Sequence, residues 1–185
     1  MTFDGRGLIL DRDGVINVDI NYLHRVEDVV FVDGIFPLLR AAKAAGYALA
    51  IATNQSGIGR GLYTEAQFET LMLWIRNQMA SQGASIDAVY FCPHHPTEAL
   101  GDYRRDCDCR KPKPGMFLQA ITDLSLDPAQ SWTIGDNWRD LDAGEAAGIA
   151  HRVRIDPTGT TVHQERGHWV APSLAEIQRM MGLAR

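Results

Sequence analysis

Gly7-Leu8-Ile9-Leu10-Asp11-Arg12-Asp13-Gly14-Val15 is the stretch that decides the fold. Its first four residues form a short apolar run, the pattern of a buried strand. Two carboxylates follow, two residues apart, so they share one face as the strand ends. In an open parallel sheet, ligands collect at that end of the strands. There, one carboxylate can attack while the other handles protons, with a divalent cation offsetting their charge. Gly14 lets the chain turn away at once. Asp-x-Asp-Gly also occurs in turns and calcium loops. A calcium loop needs further oxygen donors at alternate positions and a late Glu. Asn17 and Asp19 imitate part of that set, but here a strand, not a helix, precedes the motif.

Three more segments repeat the placement. Thr53-Asn54-Gln55-Ser56-Gly57 follows the apolar run Tyr47-Ala48-Leu49-Ala50-Ile51-Ala52. Its hydroxyl, carboxamides and free backbone N–H groups suit a phosphate. Arg110-Lys111-Pro112-Lys113-Pro114-Gly115 offers a bidentate donor and a point charge, and Gly115 opens a helix with Met116-Phe117-Leu118. Gly135-Asp136-Asn137-Trp138-Arg139-Asp140 follows the strand candidate Ser131-Trp132-Thr133-Ile134 and leads into a helix through Ala143 to Ala147. Asp136 is a further strand-end carboxylate, and Asp140 suits a helix cap. Each segment alone reads as a polar turn, a basic loop or a helix start.

The three cysteines fall in one stretch, as Cys92-x-His94 and Cys107-x-Cys109. Three thiolates and one imidazole complete a tetrahedral zinc shell. His95 is the alternative fourth ligand. An odd cysteine count argues against disulfides. The polar segment 96–106 has little apolar periodicity, and a loop of that length needs an internal staple. Four protein ligands leave no open position, so zinc is expected to be structural, holding the 92–109 loop and the adjacent Arg110 and Lys111.

With 185 residues, 45% of them hydrophobic, the chain suits one packed α/β domain spanning 1–185. A formal charge of −5 argues against a general nucleic-acid or membrane surface. Arg104, Arg105, Arg110, Lys111 and Lys113 make the cysteine loop locally basic, diluted by Asp102, Asp106 and Asp108. Neither a leader core nor a membrane-spanning run is visible, so a cytoplasmic protein is expected. Periodicity predicts a helix over 34–45 capped by Asp33 and ended by Gly46. It predicts a longer helix from a Thr64/Gln67 capping box to Gln82, with Phe68, Leu71, Met72, Ile75 and Met79 facing the core. Strands are expected at 88–91, 151–155 and 168–170, a surface loop at 157–166, and a last helix over 174–181. Strand–helix alternation implies a parallel sheet. His24, His163 and His168 have no partner spacing and read as surface or packing residues.

The order Asp-x-Asp-Gly, Thr-Asn, Lys-Pro, Gly-Asp-x-x-x-Asp resembles the haloacid dehalogenase-like (HAD) phosphatases over residues 8–155. The resemblance implies a Rossmann-like domain with a central parallel sheet. Residues 15–33 are too few for a cap domain. It also implies a magnesium-dependent phosphatase working through an aspartyl-phosphate. Asp11 would be the nucleophile and Asp13 the acid–base group. Thr53 and Lys111 would hold the phosphoryl oxygens. Magnesium would sit on Asp11, the Asp13 carbonyl and Asp136, with Asp140 in support. Asp19, Tyr22, Asn54, Gln55, Ser56, Arg110 and Asn137 would meet the substrate.

Within the superfamily, Asp11 to Asn17, Thr53 to Gly61, Tyr63 to Leu71, Cys92-Pro93-His94-His95-Pro96 and Cys107 to Pro112 resemble the branch acting on a heptose bisphosphate. That branch implies a phosphorylated sugar as substrate, a monomer, and a place in nucleotide-heptose precursor synthesis for lipopolysaccharide core or S-layer. The histidinol-phosphate phosphatases share the first motif and the cysteine pattern and stay open as the alternative. A phosphosugar-binding protein without turnover is a third reading; the complete set of chemical groups gives it no support.

Overall fold

In a computed structural model that describes residues 4–183, seven strands form one sheet in the order β3-β2-β1-β4-β5-β7-β6. The start of the polar N-terminus lies outside the described residues. The strands are β1 (Gly7–Leu10), β2 (Ala48–Asn54), β3 (Ala88–Cys92), β4 (Trp132–Gly135), β5 (His151–Ile155), β6 (His163–Glu165) and β7 (His168–Ala171). The helices are α1 (Ile35–Ala44), α2 (Ser56–Gly59), α3 (Glu65–Ser81), α4 (Gly115–Asp123), α5 (Trp138–Ala146) and α6 (Leu174–Met180). β1 is buried throughout, as its unbroken apolar run requires of a strand covered on both faces.

Alternate residues of the central strands divide the core. Leu8, Leu10, Leu49 and Ile51 pack with Ile35, Leu38 and Leu39 of α1 and Phe68, Leu71 and Ile75 of α3. Ile9 and the small Ala48, Ala50 and Ala52 face Met116, Phe117 and Ala120 of α4 and Ala143 of α5. Truncating a buried anchor such as Phe117 to Ala costs about 3–5 kcal/mol. β1 pairs in parallel with β2 on one side and β4 on the other. The strand order therefore reverses at β1, and the crevice beyond a reversal point is where such sheets bind ligands. Asp11 is the first residue past that strand.

The helix ends follow local chemistry, with corrections. α3 has the expected capping box: the Gln67 amide donates to Thr64 Oγ1 at 3.2 Å, and the Thr64 amide to Gln67 Oε1 at 2.8 Å. α1 is not capped by Asp33. Its N-cap is Gly34, at φ 84°, where the left-handed turn feeds the chain straight into the helix. On α5 the cap is Asn137, and Asp140 closes the box from the third helical position.

The expected surface loop at 157–166 contains β6, which runs antiparallel to β7 and makes the sheet mixed at that edge. All three β6 residues are exposed, so no face of the strand carries an apolar signal. Between β1 and α1 only a short 3₁₀ turn intervenes, at Val26–Asp28, and no cap domain is present among the described residues.

Candidate active site

The site forms where β1, β2 and β4 end. Asp11, Asp136 and Asp140 bring carboxylate oxygens within 4.8 Å of one another. Gly14 has φ 79°, and a Cβ there would run into the Asp136 side chain, so only glycine lets the two strand ends approach this closely. Lys111 Nζ, itself buried, lies 2.9 Å from Asp11 Oδ1 and 2.7 Å from Asp140 Oδ1. The other Asp140 oxygen accepts from the Asn137 amide at 3.0 Å. Asp140 is therefore engaged on both oxygens.

One lysine does not balance this much buried negative charge. Burial, chiefly, pushes Asp11 up to about 6, opposed by Lys111 and reinforced by Asp140 and Asp13. Burial pushes Asp136 up to about 7, with Asp11 and Asp140 adding to the rise. A hard divalent cation with oxygen ligands suits this donor set and would relieve that repulsion.

Asp13 has its own set of donors. Arg12 Nη2 lies 2.7 Å from each of its oxygens, Asn17 Nδ2 3.0 Å from Oδ1, and Gln55 Nε2 3.1 Å from Oδ2. As the middle residue of the motif, Arg12 projects to the opposite face. Its guanidinium is fully buried over the Phe68 ring and still reaches back to Asp13. Gln55 also donates to Thr53 Oγ1 at 2.8 Å and accepts from the Tyr63 hydroxyl at 2.6 Å. Burial pushes that phenol up to about 12, so it stays a donor and fixes which way the Gln55 amide faces. Arg12 and Tyr63 were not singled out in the sequence.

Above these groups a polar cavity of about 220 Å³ is lined by Asp11, Asp13, Asp19, Tyr22, Asn54, Gln55, Ser56, Arg110 and Asp136, with Arg60 and Arg139. Thr53 and Lys111 are buried and do not line it, but each touches a residue that does: Lys111 meets Asp11, and Thr53 accepts from Gln55. Asn54 locks Lys111 in place: its Nδ2 donates to the Lys111 carbonyl and its Oδ1 accepts from the Lys111 amide, each at 3.1 Å. Asn137 is not among the lining residues; its Oδ1 accepts from the Arg139 amide at 3.3 Å. Of the basic residues in the cysteine loop, only Arg110 lines the cavity. Lys113 pairs with Asp106 at 2.7 Å, Arg104 donates to the Ala99 carbonyl, and Arg105 meets His94 Nε2.

The cysteine loop closes one side. Cys92, His94, Cys107 and Cys109 converge, with sulfur separations of 3.0 to 3.5 Å. His94 Nδ1 lies 3.4 Å from Cys109 Sγ, while His95 turns away to accept amides of Thr97 and Glu98. Burial lowers the His94 pKa, which keeps the ring neutral as a ligand must be, and burial raises the Cys92 thiol. A buried thiol resists ionising until a cation arrives, and this S₃N set suits zinc.

Known proteins resemble the chain over nearly its whole length. Residues 108–177 match the HAD-hydrolase-like family. A D-glycero-β-D-manno-heptose-1,7-bisphosphate 7-phosphatase from Escherichia coli O6:H1 is 44% identical over 173 residues, 92% of this chain and 90% of its own. The enzyme of that name from Pasteurella multocida is 42% identical over 95% of this chain and 96% of its own. The chain belongs to the heptose-1,7-bisphosphate 7-phosphatase family. A solved D,D-heptose 1,7-bisphosphate phosphatase from B. bronchiseptica, complexed with magnesium and phosphate, superposes with a TM-score of 0.78 at 28% identity. It covers 95% of this chain and 97% of its own. Of the two branches that share the first motif and the cysteine pattern, the 7-phosphatase family is thus the one to which this chain belongs. The acidic cluster and the S₃N cluster are this family member's two candidate metal centres. Among the described residues no helix is long and apolar enough to cross a membrane.

Proposed function

We propose that the chain hydrolyses the 7-phosphate of D-glycero-β-D-manno-heptose 1,7-bisphosphate through an aspartyl-phosphate. The observation that carries this reading is Asp11 at the floor of a polar cavity, at the sheet's reversal point, in a chain 44% identical to an enzyme of that name. Asp11 Oδ1 is held by the Arg12 amide at 2.8 Å and by Lys111, which leaves Oδ2 to attack phosphorus. As that O–P bond forms, the bond from phosphorus to O7 breaks, and Asp13 gives its proton to the departing oxygen. Water then attacks the phosphoryl-aspartate while Asp13 takes the water's proton, and inorganic phosphate leaves. Thr53 and Lys111 steady the non-bridging oxygens, where transition-state charge gathers. Magnesium, held by Asp11, Asp136 and the Asp13 carbonyl, would offset the repulsion between carboxylate and phosphate.

Asp19, Tyr22, Ser56 and Arg110 contact the sugar and its second phosphate in this reading. Asn54 and Gln55 act through Lys111 and Asp13, to which their carboxamides are bonded. The reaction places the chain in heptose precursor synthesis, as a cytoplasmic monomeric enzyme of one 1–185 domain. The test compares kcat/KM for the heptose bisphosphate with that for histidinol phosphate, in magnesium at neutral pH. The bisphosphate is expected to win by well over tenfold, since a site built around a polar group rejects substrates that lack it. A higher value for histidinol phosphate would refute the substrate and leave the nucleophile standing.

A further inference from the structure

The cavity is lined by charges of both signs: Asp11, Asp13, Asp19 and Asp136, with Lys111 paired to Asp11, and the three arginines Arg60, Arg110 and Arg139. A single phosphate at Asp11 has Thr53, Lys111 and a cation to receive it. The three guanidiniums come from three separate places: the end of α2, the residue after Cys109, and the first turn of α5. Their partners differ. Arg60 forms an ion pair with Glu98 and lies over the Tyr22 ring, 5.8 Å from its centroid. Arg110 gives one N–H to the His94 carbonyl at 3.1 Å. Among the described residues no carboxylate pairs with the Arg139 guanidinium. Like charges gathered at one cavity favour an anion between them.

We infer that Arg139 determines specificity for the phosphate that is not hydrolysed, gripping it together with Arg110. This rests on the bisphosphate reading above and adds the residue that recognises the second charge. An arginine fits the task because its fork meets phosphate oxygens in pairs, where a lysine offers one point charge. Its place in the chain fits too. Asn137 is occupied in capping α5, and Asp140 is bound to Lys111 and the Asn137 amide. Of the α5 residues, Arg139 is the one that lines the cavity.

The experiment measures kcat/KM for heptose 1,7-bisphosphate and for heptose 7-phosphate, in the wild type, Arg139→Gln and Arg139→Lys. The ratio of the two values is expected to fall about tenfold or more in Arg139→Gln, chiefly through KM, with Arg139→Lys between. The drop should shrink as salt is raised, because Arg139 is exposed. Thermal melts keep folding apart from binding; an exposed side chain should move them little. Equal losses on both substrates would overturn the inference and assign Arg139 to the neighbouring Asp136 instead. A wild type equally fast on both sugars would overturn any recognition of the second phosphate. A wild type that acts on histidinol phosphate but on neither sugar would bring down the function itself, a result distinct from both.

Discussion

The two metal-capable clusters of this protein are built in opposite ways. The carboxylate cluster draws Asp11 and Asp136 from the ends of β1 and β4, adjacent parallel strands fixed by the sheet. It carries an internal counter-charge in Lys111, anchored by Asn54, the Ala52 carbonyl and two aspartates. The sulfur cluster draws all four ligands from residues 92–109, and beyond Cys92 that segment's one regular element is a 3₁₀ turn at Gly101–Tyr103. The first cluster is held together without its ion and strained electrostatically. In the second, a zinc ion would add a tie across a loop otherwise held by a few bonds such as His95 N to the Tyr103 carbonyl and Arg110 to the His94 carbonyl. Removing a ligand should therefore affect chemistry in the first and order in the second.

The largest effect is expected at the first cluster. Asp11→Asn should cut turnover at least ~10³-fold, about 4 kcal/mol in the barrier, because an amide is a poor nucleophile. The fold should hold. The amide oxygen can still accept from the Arg12 amide and Lys111, and one buried negative charge is gone from beside Asp136 and Asp140. A melting temperature equal to or above wild type in metal-free buffer, with turnover lost, fits this contrast. A large drop in melting temperature would break it.

A smaller effect is expected at the second cluster. Cys107→Ser should release zinc, seen by elemental analysis, and speed proteolysis within the 92–109 loop. Activity should fall about tenfold, mainly in KM, since Arg110 leans on that loop through the His94 carbonyl. Lys111, although it follows Arg110, is fixed to the β2 end and should keep its place. Magnesium affinity within twofold of wild type would sharpen the comparison. A matching loss of magnesium affinity would show the two clusters to be one unit.

How much of this could be read in the sequence follows the same division. The Asp11-Arg12-Asp13-Gly14 stretch and the cysteine pairs were legible because their geometry is local: a strand end, a turn, two short chelating spacings. The capping box of α3 and its buried stripe were legible for the same reason. Arg12, Tyr63, Arg60 and Arg139 were not, because each reaches its place only after helices and loops dock against the sheet. Arg12 in particular would be placed in the core by strand alternation, and only the structure shows its guanidinium bending back to Asp13. β6 was missed because an edge strand of His163, Gln164 and Glu165 has no buried face to mark it. Asp33 lost the cap of α1 to Gly34, which enters the helix in the left-handed region that glycine adopts most readily.

The smallest effect tests the electrostatic strain itself. In the folded, metal-free protein Asp136 titrates up to about 7 and Asp11 up to about 6, both above the 3.8 of an ordinary aspartate. A carboxylate whose folded pKa lies above its unfolded value destabilises the fold as pH rises between the two. Metal-free protein should therefore lose stability as pH rises from about 4 to about 7, so far as these two groups decide it. Magnesium reverses the sign by replacing the proton, and each proton released makes its affinity steeper by about tenfold per pH unit below the pKa. The magnesium-induced rise in melting temperature should thus grow from pH 5.5 to about pH 8 and then level off. A rise that is the same at every pH would mean that the three carboxylates are already balanced by Lys111, and that this cluster is no more strained than the sulfur one.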